Sequence, residues 1–213
     1  RPGYFVRFCQ NFHSLHCFGT ASCHQIISSL NFHYTNSAIC LYFQVHQPYR
    51  LRQDYSFFDI GMNHFYEDED ANRAICNKVS QKCYIPMNTL LLEMIDRYKG
   101  KFKCSFSISG VALDQFEKYN PEVLDLFKKL GETGCVEFIN ETYYHSLSFI
   151  FSRKEFKNQV KLHKERIKEL FGKTPTTFRN TELIYSNEVA KTIEELGYKT
   201  IIAEGADQIL GWR

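Results

Sequence analysis

From Ser37 onward the apolar and polar positions of the chain fall into two alternating rhythms. Short apolar or alternating runs at Ala38–Val45, Phe102–Ser109, Cys135–Ile139, Thr176–Asn180 and Lys199–Ala203 read as strands. Between them the apolar residues recur at helical spacing, around Ala71–Ser80, Pro86–Tyr98, Leu113–Tyr119 and Pro121–Leu130. Pro86 suits a first helical turn and Gly100 a left-handed cap. The plainest helix presents Phe156, Val160, His163, Ile167 and Leu170 on one face. Ser152 and Glu155 are predicted to open it as a capping box, and Gly172 with Pro175 to close it. A further helix runs from a Ser186 cap to Gly197. Strands that alternate with helices predict an α/β fold with a parallel sheet, closing as a barrel and stopping early, after about five strands.

Residues 1–36 do not share this order. From Arg1 to Asn36 there is no Asp, Glu or Lys, and neither period persists. His13, His16, His24 and His33 crowd among Phe, Ser and three cysteines. We read 1–36 as an atypical segment outside the fold, either translated from upstream of the true start or an authentic N-terminal extension, and 37–213 as the folded portion. Cys9, Cys17, Cys23 and His24 are its one zinc-like group, and their spacing fits no familiar site.

Composition narrows the chemistry. With 213 residues, 44% hydrophobic and 23% charged, the chain can bury a sizeable core, so disorder is not expected. A net charge of +2, with no basic run interleaved with aromatics, argues against nucleic acid as a partner. No apolar run approaches the roughly twenty residues that cross a bilayer, so no membrane partner is expected and the protein reads as soluble and cytoplasmic. The eight cysteines contain no CxxC pair, and Cys40, Cys76, Cys83, Cys104 and Cys135 sit among apolar or helical neighbours as reduced thiols.

In parallel α/β folds the working residues gather at the C-terminal ends of the strands. Here those ends carry His46, Gln47 and Pro48, then Ser109 and Gly110, then Glu137, Asn140, Glu141 and His145. Arg179, Asn180, Thr181 and Glu182 follow, and last Glu204 and Gly205. Carboxylates and two histidines around one cavity admit two chemistries, carboxylate-assisted glycosyl transfer or a metal site of His and acid ligands. No HExxH or tight Asp/His cluster marks a zinc hydrolase. Of the carboxylates, Glu182 stands apart, since it follows a polar strand end and lies between apolar Phe178 and Ile184. His163, on a helix edge, reads as structural.

Three segments carry a resemblance. ICLYFQVHQPYRLR at Ile39–Arg52, GCVEFINETYYHSL at Gly134–Leu147 and FRNTELIYS at Phe178–Ser186 occur in the order and spacing of the first three signatures of glycoside hydrolase family 57, α-amylase-like type. KCYIPMN, SFSISGVALDQFE and AEGADQILGWR extend the likeness over Ser37–Arg213. The resemblance implies a catalytic (β/α)7 barrel, of which this chain is the N-terminal portion. It implies a retaining mechanism without metal or other cofactor, and α-linked glucans such as starch, glycogen or maltooligosaccharides as substrate. It makes Glu182 the nucleophile, places His46 and Glu137 around the scissile bond, and gives Gln47 as a further substrate-binding residue. His145, Glu204 and Trp212 fall in matching segments and are assigned substrate contacts. The family's general acid is an Asp in a fourth signature that this chain does not reach, so the chain alone is expected to be inactive. Two alternatives stand beside this reading, a metal-dependent polysaccharide deacetylase-like enzyme and a non-catalytic glucan-binding protein.

Overall fold

The computed structural model describes residues 41–62 and 65–204. The atypical segment 1–36, its cysteine–histidine group and Trp212 lie outside the described residues.

Five strands form, β1 (Leu41–Val45), β2 (Cys104–Ile108), β3 (Val136–Ile139), β4 (Thr177–Arg179) and β5 (Thr200–Ile202). β1, β2 and β3 are parallel neighbours, with Phe43, Phe106 and Phe138 in register. β4 and β5 pair in parallel as well. The two groups meet at one residue: Asn140 donates from its backbone N–H to Thr177 O at 2.9 Å, and its carbonyl accepts from Arg179 N at 2.8 Å. The spatial order therefore follows the chain order, with parallel strands throughout, as the strand–helix alternation predicts.

The helices are α1 (Glu69–Val79), α2 (Ile85–Arg97), α3 (Gly110–Tyr119), α4 (Pro121–Glu132), α5 (Ser148–Phe151), α6 (Arg153–Phe171) and α7 (Asn187–Glu195). Four of these seven starts carry side-chain caps. Asp68, Ser109, Ser152 and Ser186 accept from the N–H groups of Ala71, Ala112, Glu155 and Val189. The capping box expected at α6 is half-formed. Ser152 makes its bond to Glu155 N, but Glu155 Oε1 accepts from Gln159 and the Ser152 N–H closes α5 on Ser148 O. Gly172 ends α6 at φ 67, and Gly100 ends the turn after α2 at φ 74, both left-handed as expected. α1 and α2 are joined without a break by a π-helical turn over Ser80–Tyr84, where the pattern suggests two separate helices. No described helix is long and apolar enough to cross a membrane.

Alternation along the strands sorts the two faces of the sheet. Phe43, Phe106 and Phe138 face the helices, joined by Val45, Cys104, Ile108 and Val136, and pack with Leu113, Phe116 and Phe127. Phe178 and Ile201 form a second apolar cluster with Phe156, Val160, Val189, Ile193 and Tyr198. α6 serves both clusters, Phe156 and Val160 in one, Ile167 in the other. The opposite face is polar: Tyr42 bonds Ser107 at 2.7 Å, Thr177 donates to Glu137, and Arg179 donates to Gln44.

Candidate active site

Several of the polar strand ends predicted to face one cavity come together. Ser109 Oγ caps α3 and also lies 2.8 Å from His46 Nδ1, so the residue that starts the helix holds the imidazole that follows β1. Burial, and next the neighbouring His145, lower the pKa of His46 to about 4. The ring is therefore neutral at neutral pH. It stacks on His145 with centroids 4.2 Å apart.

His145 stands at the centre. Its Nδ1 lies 3.3 Å from Glu141 Oε2, and its Nε2 lies 3.4 Å from Glu182 Oε1 and 3.3 Å from Gln44 Nε2. A turn positions the ring: His145 N donates to Thr142 O, Ser146 N donates to Thr142 Oγ1, and Thr142 Oγ1 meets Thr181 Oγ1 at 3.0 Å. The last contact ties the loop after β3 to the loop after β4.

Glu141 and Arg179 form an ion pair inside the protein, with Nη1 and Oε2 3.3 Å apart and side chains 0% and 3% exposed. Glu182 is the opposite case, 69% exposed at its side chain. Its backbone is left-handed, at φ 55, and Leu183 follows at φ 58. Of the four described non-glycine residues with positive φ, three are His145, Glu182 and Leu183. Such conformations cost on the order of 1 kcal/mol or more each and gather at functional sites. The strain lifts the Glu182 carboxylate out of the strand end into solvent beside the imidazole.

Beneath this cluster lies His163, fully buried. Its Nε2 meets Ile108 O at 2.7 Å, and its Nδ1 meets Asn140 Oδ1 at 2.8 Å and accepts from Glu141 N at 3.3 Å. It joins the ends of β2 and β3, the structural role expected of it. Burial lowers its pKa.

An exposed carboxylate at a parallel strand end, beside an imidazole on which a second imidazole stacks, suits covalent catalysis on a polar substrate. The family model described as Glycosyl hydrolase family 57 matches residues 40–213. The chain belongs to this family. It is 47% identical over 172 residues to a Methanocaldococcus jannaschii protein provisionally named an α-amylase, a match covering 80% of this chain and 36% of that protein. Alpha-amylase 1 of Dictyoglomus thermophilum is 28% identical over 150 residues, covering 70% of this chain and 21% of that protein. The chain thus spans about a third or less of the length of these relatives. Among solved structures, the 4-alpha-glucanotransferase of Thermococcus litoralis superposes with a TM-score of 0.58 at 19% identity, over 76% of this chain and 21% of that one, a likeness of fold.

Within this family 57 frame the expected site residues separate into two groups. His46, His145 and Glu182 come together as described. Glu204 is exposed at the end of β5, its N–H 3.3 Å from Leu183 O and so next to the Glu182 turn. Gln47 and Glu137 do not join the cluster. Gln47 is buried toward the helices, donating to Tyr84 Oη at 2.8 Å while its carbonyl accepts from Gln115. Glu137 lies within β3 on the polar face, accepting from Thr177 Oγ1 at 2.5 Å. Trp212 lies outside the described residues. Sequence reasoning placed Glu141 and Arg179 at strand ends but gave neither a role, because their ion pair joins residues far apart in the chain. Gln44 gave a faint signal, as a polar residue inside an otherwise apolar-flanked strand. Among the described residues, no three His, Cys, Asp or Glu side chains are placed to hold a metal ion. His46 and His145 stack face to face, their ring planes 25° apart.

Proposed function

We propose that the protein is a retaining glycosidase or transglycosidase acting on α-glucans, with Glu182 as its nucleophile and the observed parallel sheet as part of a (β/α)7 barrel. The observation that carries this reading is the solvent-facing Glu182 carboxylate, held in a left-handed turn at the end of β4 and 3.4 Å from His145 Nε2. In the first step Glu182 attacks the anomeric carbon while a second carboxyl group protonates the leaving oxygen, and in the second step water or a sugar hydroxyl displaces the ester. Glu141 cannot be that acid, because it is sealed from solvent behind His145. The acid is a further carboxylate outside this cluster. The α-amylases and the 4-alpha-glucanotransferase among the similar proteins support α-glucan as the substrate class and leave the acceptor open.

The test is Glu182→Ala in the full-length protein, assayed on maltooligosaccharides. Turnover should fall by several orders of magnitude, and azide should restore part of it by occupying the space of the missing carboxylate. Near-normal activity in the variant would overturn the assignment.

A further inference from the structure

A cavity of about 420 Å³ opens where α6 and α7 begin, lined by Phe149, Ile150, Phe151, Ser152, Arg153 and Glu188. Its apolar side comes from α5. Phe149 is fixed: its ring packs edge-on against Phe156 of the second apolar cluster, with centroids 5.1 Å apart, and the Arg153 guanidinium lies over it at 5.4 Å. Phe151 is the opposite case, 87% exposed, and Ile150 beside it is exposed as well. The polar side is the Arg153–Glu188 ion pair, which ties the start of α6 to the start of α7 and leaves both side chains more than half in solvent. A cation in the first turn of a helix opposes the helix dipole, so the charge of Arg153 does not stabilise α6 itself.

α6 and α7 begin beyond the C-terminal ends of β3 and β4, the side that carries Glu182. The loop that holds Glu182 runs directly into α7, and Ile184 and Tyr185 on it are exposed. On the other wall Ser146, next to His145, donates to Gln159 of α6 at 2.7 Å. Arg153 lies six residues nearer the start of that helix, about 9 Å along its axis. The cavity has the size and the mainly apolar lining, with a few polar groups, that mark small-molecule sites. The lining also selects the occupant. A charged ligand finds no net charge to bind, because the two rim charges cancel. An apolar protein surface would strip water from Arg153 and Glu188 without replacing their hydrogen bonds, which is costly. A sugar ring offers C–H faces to the phenyl rings and hydroxyl groups that donate to Glu188 and accept from Arg153. We propose that this cavity is an accessory subsite for an α-glucan, holding a sugar unit of the chain away from the bond attacked by Glu182, with Phe151 as its stacking surface.

The proposal rests on α-glucan as the substrate class, and its test does not depend on the choice of nucleophile. Calorimetry on the full-length Glu182→Ala variant measures binding of maltoheptaose without cleavage. Adding Phe151→Ala should raise Kd at least about fivefold, through loss of the apolar surface that one sugar face covers. Phe151 is exposed, so its truncation leaves the core intact and Tm should stay within about 2 °C of the parent. With Glu182 in place, Phe151→Ala should lower kcat/KM for maltoheptaose by a similar factor. If the double variant binds maltoheptaose within about twofold of its parent, the cavity is not a glucan subsite and the proposal fails. If Phe151→Ala instead lowers Tm by several degrees or shifts the elution volume on size exclusion, a protein surface fills the cavity, and the proposal fails in that case too. If Glu182→Ala binds no maltoheptaose at all, the proposal falls together with α-glucan as the substrate class. Near-normal cleavage by Glu182→Ala would remove only the nucleophile, and the kcat/KM of Phe151→Ala would then decide the subsite.

Discussion

Replacing Asn140 by alanine tests how the two halves of the sheet are held together. Its backbone makes both hydrogen bonds that join β3 to β4, and these do not need the side chain. The side chain does separate work: Nδ2 donates to Tyr198 Oη at 2.8 Å and to Val160 O at 3.0 Å, and Oδ1 meets His163 Nδ1. Asn140 and His163 are fully buried and Tyr198 is nearly so. Val160 O keeps its place in the α6 ladder after truncation. Tyr198 Oη loses its short contact in an interior without solvent, at a cost of about 1–3 kcal/mol, while His163 Nδ1 still accepts from Glu141 N. At roughly 2–4 °C per kcal/mol for a domain of this size, a middle value of about 2 kcal/mol lowers Tm by about 4–8 °C. Tyr198→Phe removes a single partner and should cost about 1 kcal/mol. The double variant should be less destabilised than the sum of the two, because the orphaned hydroxyl is gone. Thermal unfolding followed by near-ultraviolet circular dichroism measures all three. A fall of less than about 3 °C in Asn140→Ala, or strict additivity in the pair, would refute the account.

Gly110→Ala would place a Cβ 2.5 Å from the ring of Tyr143, whose hydroxyl donates to Asp114 at 2.7 Å. The ring must move and that bond must break, so urea denaturation should show a loss of about 1–3 kcal/mol. His46 has a folded-state pKa of about 4, below its ordinary 6.5, so the unfolded chain binds the extra proton between those values. The stability His46 contributes is complete above pH 6.5 and falls as pH drops toward 4. His46→Gln should therefore lose less stability between pH 7 and 4.5 than the natural protein, and equal losses by denaturant titration would contradict this. His163, lowered in the same direction, keeps part of the acid sensitivity in that variant. Because the proposed mechanism uses carboxylates alone, EDTA should leave cleavage of maltooligosaccharides by the full-length protein unchanged. Loss on chelation and recovery with zinc would favour the metal-dependent deacetylase reading.

The elements were legible because their ends are marked. Ser109, Ser152 and Ser186 cap helices through their own hydroxyls, and Gly100 and Gly172 stop them in a conformation that suits glycine. The strands were legible because Phe43, Phe106 and Phe138 recur as apolar positions between polar ones. Glu182 and His145 were singled out through the resemblance and their places at strand ends, and their side chains lie 3.4 Å apart. Glu141 was not, because a charged residue in a loop is ordinarily solvated, and only the arrival of Arg179 from β4 makes its burial tolerable. Gln47 reads as a pocket residue from its neighbours His46 and Pro48, but backbone direction turns it toward Tyr84. The left-handed turn at Glu182 and Leu183 has no sequence signal, since neither is a residue that favours it.

The two apolar clusters have a consequence for how the protein fails under stress. One lies behind β1–β3 and the other behind β4 and β5, with α6 as a spine between them. The seam carries polar contacts: the Asn140 bridge, the Thr142–Thr181 contact and the Glu141–Arg179 pair. His145 and Glu182 sit on opposite banks of it. Opening along that line breaks mainly polar contacts and bends α6, which packs in both clusters, so it is expected to cost less than unpacking either cluster. Heating should therefore part the imidazole from the carboxylate while both clusters are intact. The protein would go catalytically silent several degrees before it melts, and on cooling it would regain function as fast as a seam can close, without refolding.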